Sequence, residues 1–205
     1  MDSEAYYGSA LPALRWAEQC LLGIVGQYPA QETVDGVQPI LYCKSRIKSP
    51  QSMIRKLSSR GLATDSGTAL AKMHDAVGVR VVCSFVDNVY EIAGWLSRRP
   101  EFTIIGRKDY IAYPKENGYR SLHLIVRFFN CPRDDLTAEI QLRTIAIDFW
   151  AALEHQIKYK RAISHEKTIR AELKRCADEI ASVDMSMQTI RDILRDGSWE
   201  DKSGA

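Results

Sequence analysis

Between Thr137 and Lys160 the chain changes periodicity without a break. Glu139, Gln141 and Arg143 alternate with Ala138, Ile140 and Leu142, the period-two pattern of a strand with one polar and one apolar face. Ile145, Phe149, Trp150, Leu153 and Ile157 then recur at helical spacing, so the strand runs directly into a helix with a heavy apolar stripe. A polar strand face alone is what any solvent-facing edge strand presents. A strand packed by such a helix is not a loose edge. A carboxylate, an amide and a guanidinium in line on it therefore read as the lining of a cleft that holds something polar.

The rest of the chain is consistent with one globular domain. Its 205 residues, 45% hydrophobic and 26% charged, suffice for a real core. A net charge of +2 is too small to imply strong non-specific binding to nucleic acid. The five cysteines, Cys20, Cys43, Cys83, Cys131 and Cys176, are scattered and form no Cys-x-x-Cys. That argues against a disulfide framework or a zinc site and for a reducing compartment, so a cytoplasmic location is expected. The start lacks a signal-peptide pattern. No apolar run approaches the ~20 residues that span a bilayer, so no membrane partner is expected.

Leu11, Leu14, Leu21 and Val25, with Pro12 near the start, predict a first helix ending near Gly26. The segment from Tyr28 to Pro39 reads as loop. Arg46 and Lys48 share one side of an extended segment. Ser49-Pro50 predicts a helix cap and first position, and Gly61 a stop. Ser52 and Lys56 fall on one face of that helix. Cations leading into a helix N-terminus favour anions, although an ordinary basic surface helix has the same pattern. A short helix is expected from Ser66 to Met73.

Val77, Val79, Val81, Cys83 and Phe85 predict a strand with Arg80 on its other face, turned to the cleft or to an acid. Asp87 reads as the cap of a helix running to about Arg98, and Phe102 to Ile105 begin another strand. After the turn-rich loop Tyr113 to Gly118, Tyr119, Ser121 and His123 alternate with Arg120, Leu122 and Leu124. That predicts one strand face with a ring, a hydroxyl and an imidazole. A ring at a strand mouth can stack on a base, although a lone tyrosine or histidine is commonly a hydrogen-bonded structural residue. A hairpin-like loop from Asn130 to Asp135 returns the chain to Thr137.

In the tail, Ile169, Leu173, Cys176, Ile180, Val183, Met187, Ile190 and Leu194 alternate spacings of four and three. That predicts one long helix, or two with a break near Ser182 to Asp184, whose seam packs against the first helix or another subunit. Gly197 to Ala205 is expected to fray.

Taken together, Ser45-Arg-Ile-Lys-Ser-Pro50 with Ser52 and Lys56, Asp75-Ala-Val-Gly-Val-Arg80, Lys108-Asp-Tyr110, Asn117-Gly-Tyr-Arg-Ser-Leu-His123, and Glu139-Ile-Gln-Leu-Arg143 followed by Phe149-Trp150 and Glu154-His155 resemble the RelA/SpoT family, in its single-domain small alarmone synthetase form. The order of the blocks is more specific than any one of them. The resemblance implies an α/β (α+β) fold, a nucleotidyltransferase-like mixed sheet flanked by helices. It divides the chain into an N-terminal helix and loop (1–40), a synthetase domain (41–161) and a C-terminal helical region for packing or oligomerisation (162–205).

It also implies an activity: transfer of the β,γ-pyrophosphate of ATP to the 3′-hydroxyl of GDP or GTP, giving ppGpp or pppGpp and AMP. On the donor side, Arg46 and Arg80 would clamp adenine, and Lys48, Ser52 and Lys56 would hold the ATP phosphates. Asp75 would bind Mg²⁺, and Glu139 would take the 3′-hydroxyl proton and touch the metal. On the acceptor side, Tyr119 would stack on guanine, with Asn117, His123 and Gln141 as polar neighbours and Lys108 and Lys115 reaching phosphates.

The partners implied are the two nucleotides, further copies of the chain in a homotetramer, and a regulatory RNA. The alternatives are a toxin-type relative that pyrophosphorylates tRNA 3′ ends or adenine nucleotides, and a non-catalytic RNA-binding module on the same fold. Two departures stand out: Gly106 where many long relatives have arginine, with Arg107 shifted by one, and Glu116 where many have proline. His74-Asp75 forms a His-Asp pair like that of metal phosphohydrolases, but the other histidines lie outside any such pattern.

Overall fold

The structure, a computed structural model, describes residues 2–29, 37–159 and 166–196. Part of the expected loop between Tyr28 and Pro39, together with Lys160 and the segment Gly197 to Ala205, lies outside the described residues.

At the N-terminus a short helix α1 (Ser3–Tyr7) and a 3₁₀ turn lead into α2 (Leu11–Val25), with Pro12 in its first turn and Gly26 at its end as predicted. Strand β1 (Ile40–Ile47) then passes to α3 (Pro50–Ser58). Ser49 caps α3, its hydroxyl accepting from the Ser52 amide. Helix α3 ends at Ser59, and Gly61 follows with φ at +67°, a left-handed turn that glycine makes without strain. Helix α4 (Ser66–Lys72), strand β2 (Val77–Cys83) and helix α5 (Val86–Leu96) come next. Asp87 is not the cap of α5: it lies inside the first turn, and Phe85 precedes the helix without a side-chain cap.

Strands β3 (Phe102–Asp109), β4 (Leu122–Phe128) and β5 (Thr137–Thr144) complete a single mixed sheet of order β1-β2-β5-β4-β3, in which only β2 and β5 run parallel. Helix α6 (Ile145–Tyr159) leaves β5 without a loop. One face of the sheet, with Val77, Val79, Leu122, Leu124, Ile140 and Leu142, buries its apolar side chains against Leu14 and Leu21 of α2 and Ile92 and Leu96 of α5. The opposite face is left polar.

The tail is one long helix, α7 (Glu166–Arg195), the first of the two forms its spacing predicts, unbroken at Ser182 to Asp184. Only the first half of the heptad seam is partly covered: Ile169, Leu173, Cys176 and Ile180 are half-buried. Val183, Met187, Ile190 and Leu194 are exposed, Leu194 to 66%, whereas Ala177 and Asp184 are buried. Polar anchors set the docked face: Trp150 Nε1 donates to Leu173 O at 2.9 Å, the Thr144 hydroxyl bonds Asp184, and Arg191 pairs with Asp87. Among the described residues no helix is long and apolar enough to cross a membrane.

Candidate active site

Strand register places the polar side chains in rows across the sheet. Lys44 is opposite Arg80, Arg80 opposite Gln141, Gln141 opposite His123 and His123 opposite Lys108. The next row runs Arg46, Gly78, Glu139. Residues opposite one another share a sheet face, so both rows project onto the polar one. There Arg46, Asp75, Gly78, Arg80, Glu139 and Gln141 line a cleft of about 230 Å³. Arg46 and Arg80 are diagonal neighbours, a separation of about 7 Å, which matches a planar ring between two guanidiniums. A Cβ on Gly78 would meet nothing within 4 Å, so the glycine leaves open the space between Arg46 and Glu139.

Asp75 anchors one half of the cleft. Its Oδ2 pairs with the Lys48 ammonium and with Lys56 Nζ at 2.6 Å. Burial works to raise the Asp75 pKa, but the hydrogen bonds and charges of the two lysines outweigh it and hold the carboxyl below its usual range. Burial conversely lowers the pKa of Lys48, against the pull of Asp75. The backbone of Lys48 is fixed from both sides: its amide donates to Ala76 O at 2.8 Å, and its carbonyl accepts from Tyr7 Oη at 2.7 Å. Tyr7, on α1, carried no signal in the sequence.

The other half is a closed ring of side chains around Glu139. Gln141 Nε2 donates to Glu139 Oε2 at 2.7 Å, and Arg143 Nη2 donates to Gln141 Oε1 at 2.7 Å and to Tyr119 Oη at 3.2 Å. Tyr119 Oη lies 2.9 Å from His123 Nε2, and His123 Nδ1 lies 3.0 Å from Glu139 Oε1. An ionised carboxylate only accepts, so His123 Nδ1 is the donor to Glu139 and, with Nε2 as the acceptor, the Tyr119 hydroxyl donates to it. Every bond in the ring is thus directed toward Glu139. Burial works to raise the Glu139 pKa, but His123 and Gln141 prevail and lower it. The charge of Asp75 reaches Glu139 and acts in the opposite sense. Burial raises the Tyr119 pKa.

The strand face predicted for Tyr119, Ser121 and His123 is not formed. Strand β4 begins at Leu122, and the fully buried Ser121 hydroxyl donates to Leu142 O at 3.0 Å. Tyr119 comes instead from a loop, yet it meets His123. The loop is held from behind. Gly118, at φ +86°, packs so closely on α7 that a Cβ there would fall 2.5 Å from the Ala177 side chain. Arg120 donates to Ala177 O at 3.3 Å and to Asp178 at 2.9 Å. Asn117 donates to Glu154 of α6 at 3.0 Å and accepts from the Tyr119 amide at 3.3 Å, the role of a turn former. The Lys115 ammonium lies 4.5 Å from the Tyr110 ring centroid and 5.0 Å from that of Tyr119.

Lys108 is exposed at the far end of its row. Ser52 belongs to the α3 cap, 2.9 Å from Ser49 Oγ. Arg107 pairs with Asp109 at 3.6 Å, away from the ring. Arg143, read as part of the cleft lining with Glu139 and Gln141, is only 2% exposed. Arg143 and Arg80 both meet Asp148, a buried residue of α6 that no spacing singled out.

Asp75 has an oxygen that suits a hard divalent cation. Asp75 Oδ1 is buried with no hydrogen-bond partner, and carboxylate oxygen is the donor such ions prefer. Among the described residues no group of three or more His, Cys, Asp or Glu could hold a metal by itself, so further ligands would come from bound phosphates. His74, whose Nδ1 lies 3.2 Å from Thr137 Oγ1, belongs to no such group.

A mixed sheet with cations and a carboxylate at one end of its polar face, and a tyrosine, a histidine and a second carboxylate at the other, is a framework suited to phosphoryl-type transfer. The pattern described as the region found in RelA/SpoT proteins matches residues 45–164, and the chain belongs to that family. It is 40% identical over 161 residues to GTP pyrophosphokinase YwaC of Bacillus subtilis, covering 77% of each chain. It is 29% identical over 194 residues to GTP pyrophosphokinase YjbM of the same organism, covering 93% of this chain and 90% of that one. The crystal structure of small alarmone synthetase 1 from B. subtilis bound to its product pppGpp superposes with a TM-score of 0.77 at 31% identity, over 88% of this chain and 93% of that one.

Proposed function

We propose that this protein is a (p)ppGpp synthetase: the 3′-hydroxyl oxygen of GDP or GTP attacks the β-phosphorus of ATP. The bond from that phosphorus to the oxygen bridging it to the α-phosphorus breaks, and AMP leaves. The observation that carries this reading is the ring of hydrogen bonds converging on Glu139, in one cleft with Asp75. Glu139 accepts the hydroxyl proton, while His123 and Gln141 fix both of its oxygens and so aim the remaining lone pairs into the cleft. Arg46 and Arg80 hold adenine, and Lys48, Lys56 and Ser52 line the path of the ATP phosphates. Tyr119 carries guanine on its ring, with Asn117 shaping its loop and Lys115 and Lys108 facing the acceptor's phosphates. Lys115, stationed over the tyrosine rings, swings toward those phosphates when a base takes its place.

A divalent cation, Mg²⁺ in this reading, held by Asp75 and Glu139 would neutralise charge on the transferred phosphates when bound. Until a nucleotide arrives, the lysine ammoniums hold Asp75 ionised. Catalysis by the protein itself is then positioning plus electrostatics.

The exposed stripe Val183, Met187, Ile190 and Leu194 supports assembly with further copies, the homotetramer implied by the family resemblance. Light scattering of a variant with Met187 and Ile190 changed to serine would test it, a retained wild-type mass counting against it. The free cysteines, Cys83 among them buried, support a cytoplasmic location.

The activity is tested by incubating the protein with labelled ATP, Mg²⁺ and GDP, GTP or deacylated tRNA in turn and resolving the products. AMP with a 3′-pyrophosphorylated guanine nucleotide is the expected result. Labelled tRNA alone, or no transfer at all, would refute the reading.

A further inference from the structure

Asp148 is a buried charge with no part in the chemistry above. It lies in the first turn of α6 and is 5% exposed. Its Oδ2 accepts from Tyr42 Oη at 2.8 Å. Its Oδ1 is 3.1 Å from Arg80 Nη1 and 3.5 Å from Arg143 Nη1. That oxygen nonetheless has no hydrogen bond of good geometry, and the Nε atoms of both arginines are likewise buried without a partner. One carboxylate oxygen is therefore shared between two guanidiniums and fully satisfies neither. In a buried network, a contact of this kind responds strongly to a small shift of either partner.

The two arginines serve different ends of the cleft. Arg80 stands beside Arg46 on the sheet, whereas Arg143 donates to Tyr119 and Gln141. We propose that Asp148 is a positioning residue that couples the two nucleotide pockets, making acceptor affinity depend on donor occupancy. This rests on the donor and acceptor assignments proposed above. Adenine drawn between Arg46 and Arg80 takes the Arg80 guanidinium away from Asp148. Oδ1 then falls to Arg143, which is held more firmly against the Tyr119 hydroxyl and the Gln141 amide. Donor binding thereby tightens acceptor binding, and by linkage the acceptor tightens the donor by the same factor.

The test is calorimetric titration of GDP with and without saturating α,β-methylene-ATP and Mg²⁺, a donor analogue that cannot be cleaved. For the wild-type protein the analogue should tighten GDP by about fivefold or more. Asp148→Asn should bring that factor close to one, and Tyr42→Phe, which removes a neutral partner of the same carboxylate, should lower it part of the way. An Asp148→Asn protein that keeps its melting transition and the wild-type factor would overturn the proposal. Should that variant lose its transition, an unchanged factor in Tyr42→Phe would overturn it. Wild-type turnover with a factor of one sinks the coupling alone. No GDP binding and no AMP formation by the wild type sinks the nucleotide reading as well.

Discussion

The half of the cleft proposed to take the donor is held by ion pairs, and most of its cations come from one short run of chain. Arg46 lies on β1, Lys48 just past its end and Lys56 on the helix that follows, and Asp75 joins them from the turn before β2. The half proposed for the acceptor is held by directed hydrogen bonds among side chains from a loop, β4 and β5, braced from behind by α6 and α7. Ion pairs fall off gently with distance and tolerate loose geometry. Hydrogen bonds weaken steeply when bent. The donor half should therefore lose function in small steps as cations are removed, and the acceptor half should fail abruptly.

The largest effect that would break this contrast is expected at Glu139. Glu139→Gln keeps the size of the side chain but removes the base, so kcat for AMP formation should fall by about a hundredfold or more, with binding of the donor analogue nearly unchanged. Retention of full kcat would remove Glu139 from its role. Next, Tyr119→Ala should raise the KM for GDP by roughly ten- to a hundredfold, the scale of one base–aromatic stack, and leave the KM for ATP in place. An equal rise in both would merge the two pockets into one.

Lys56→Ala sharpens the comparison from the donor side. It should raise the ATP KM by about tenfold, the scale of one charge-assisted contact, because Lys48 still pairs with Asp75. A loss as deep as that of Glu139→Gln would contradict the tolerance argued for ion pairs. Arg120→Ala cuts only the brace behind the loop, to Ala177 and Asp178, and leaves the bonds of the ring itself in place, so it should raise the GDP KM by no more than a few fold and leave the ATP KM alone.

The smallest effect concerns stability and pH. Burial raises the pKa of Asp184, against its hydrogen bond with Thr144. The folded protein thus takes up this proton more readily than the unfolded chain, and the charged form costs stability at neutral pH. Asp184→Asn should raise Tm at pH 8 by about 2–4 °C, corresponding to about 1 kcal/mol. The gain should shrink as pH falls through the raised native value toward 3.8, the ordinary carboxyl value. Asp75 and Glu139 have the opposite sign: their lowered values stabilise the fold above the usual carboxylate range, and that contribution is lost as pH falls through them. A gain for Asp184→Asn that persisted at pH 4 would reject the assignment.

The difference between the two halves also governs how readable each was from the amino-acid order. Ser49-Pro50 with Arg46, Lys48 and Lys56 is a local pattern: a cap, a helix face and an extended pair of cations, all set by neighbours within a few residues. Glu139, Gln141 and Arg143 were legible as one strand face for the same reason. Tyr119 and Ser121 were read as a continuation of β4, because alternation cannot tell a strand from an extended loop entering it. The tail's apolar spacing identified a helix but not its docked side. Trp150, Thr144 and Asp87 decide that side through polar bonds, which hydrophobic spacing does not encode.

Strand and helix periods, the Ser49 cap of α3, the two faces of β5 and the chemical inventory of the cleft were determined by the sequence alone, since each depends on contacts within a turn or on alternation along one strand. Closure of the ring around Glu139, the burial of Arg143 and the place of Asp148 were decided only in the tertiary structure. Asp148 meets Tyr42 across 106 residues of chain. Such meetings depend on the register of a five-stranded sheet and on the direction in which α6 leaves it, and no local stretch of residues specifies either.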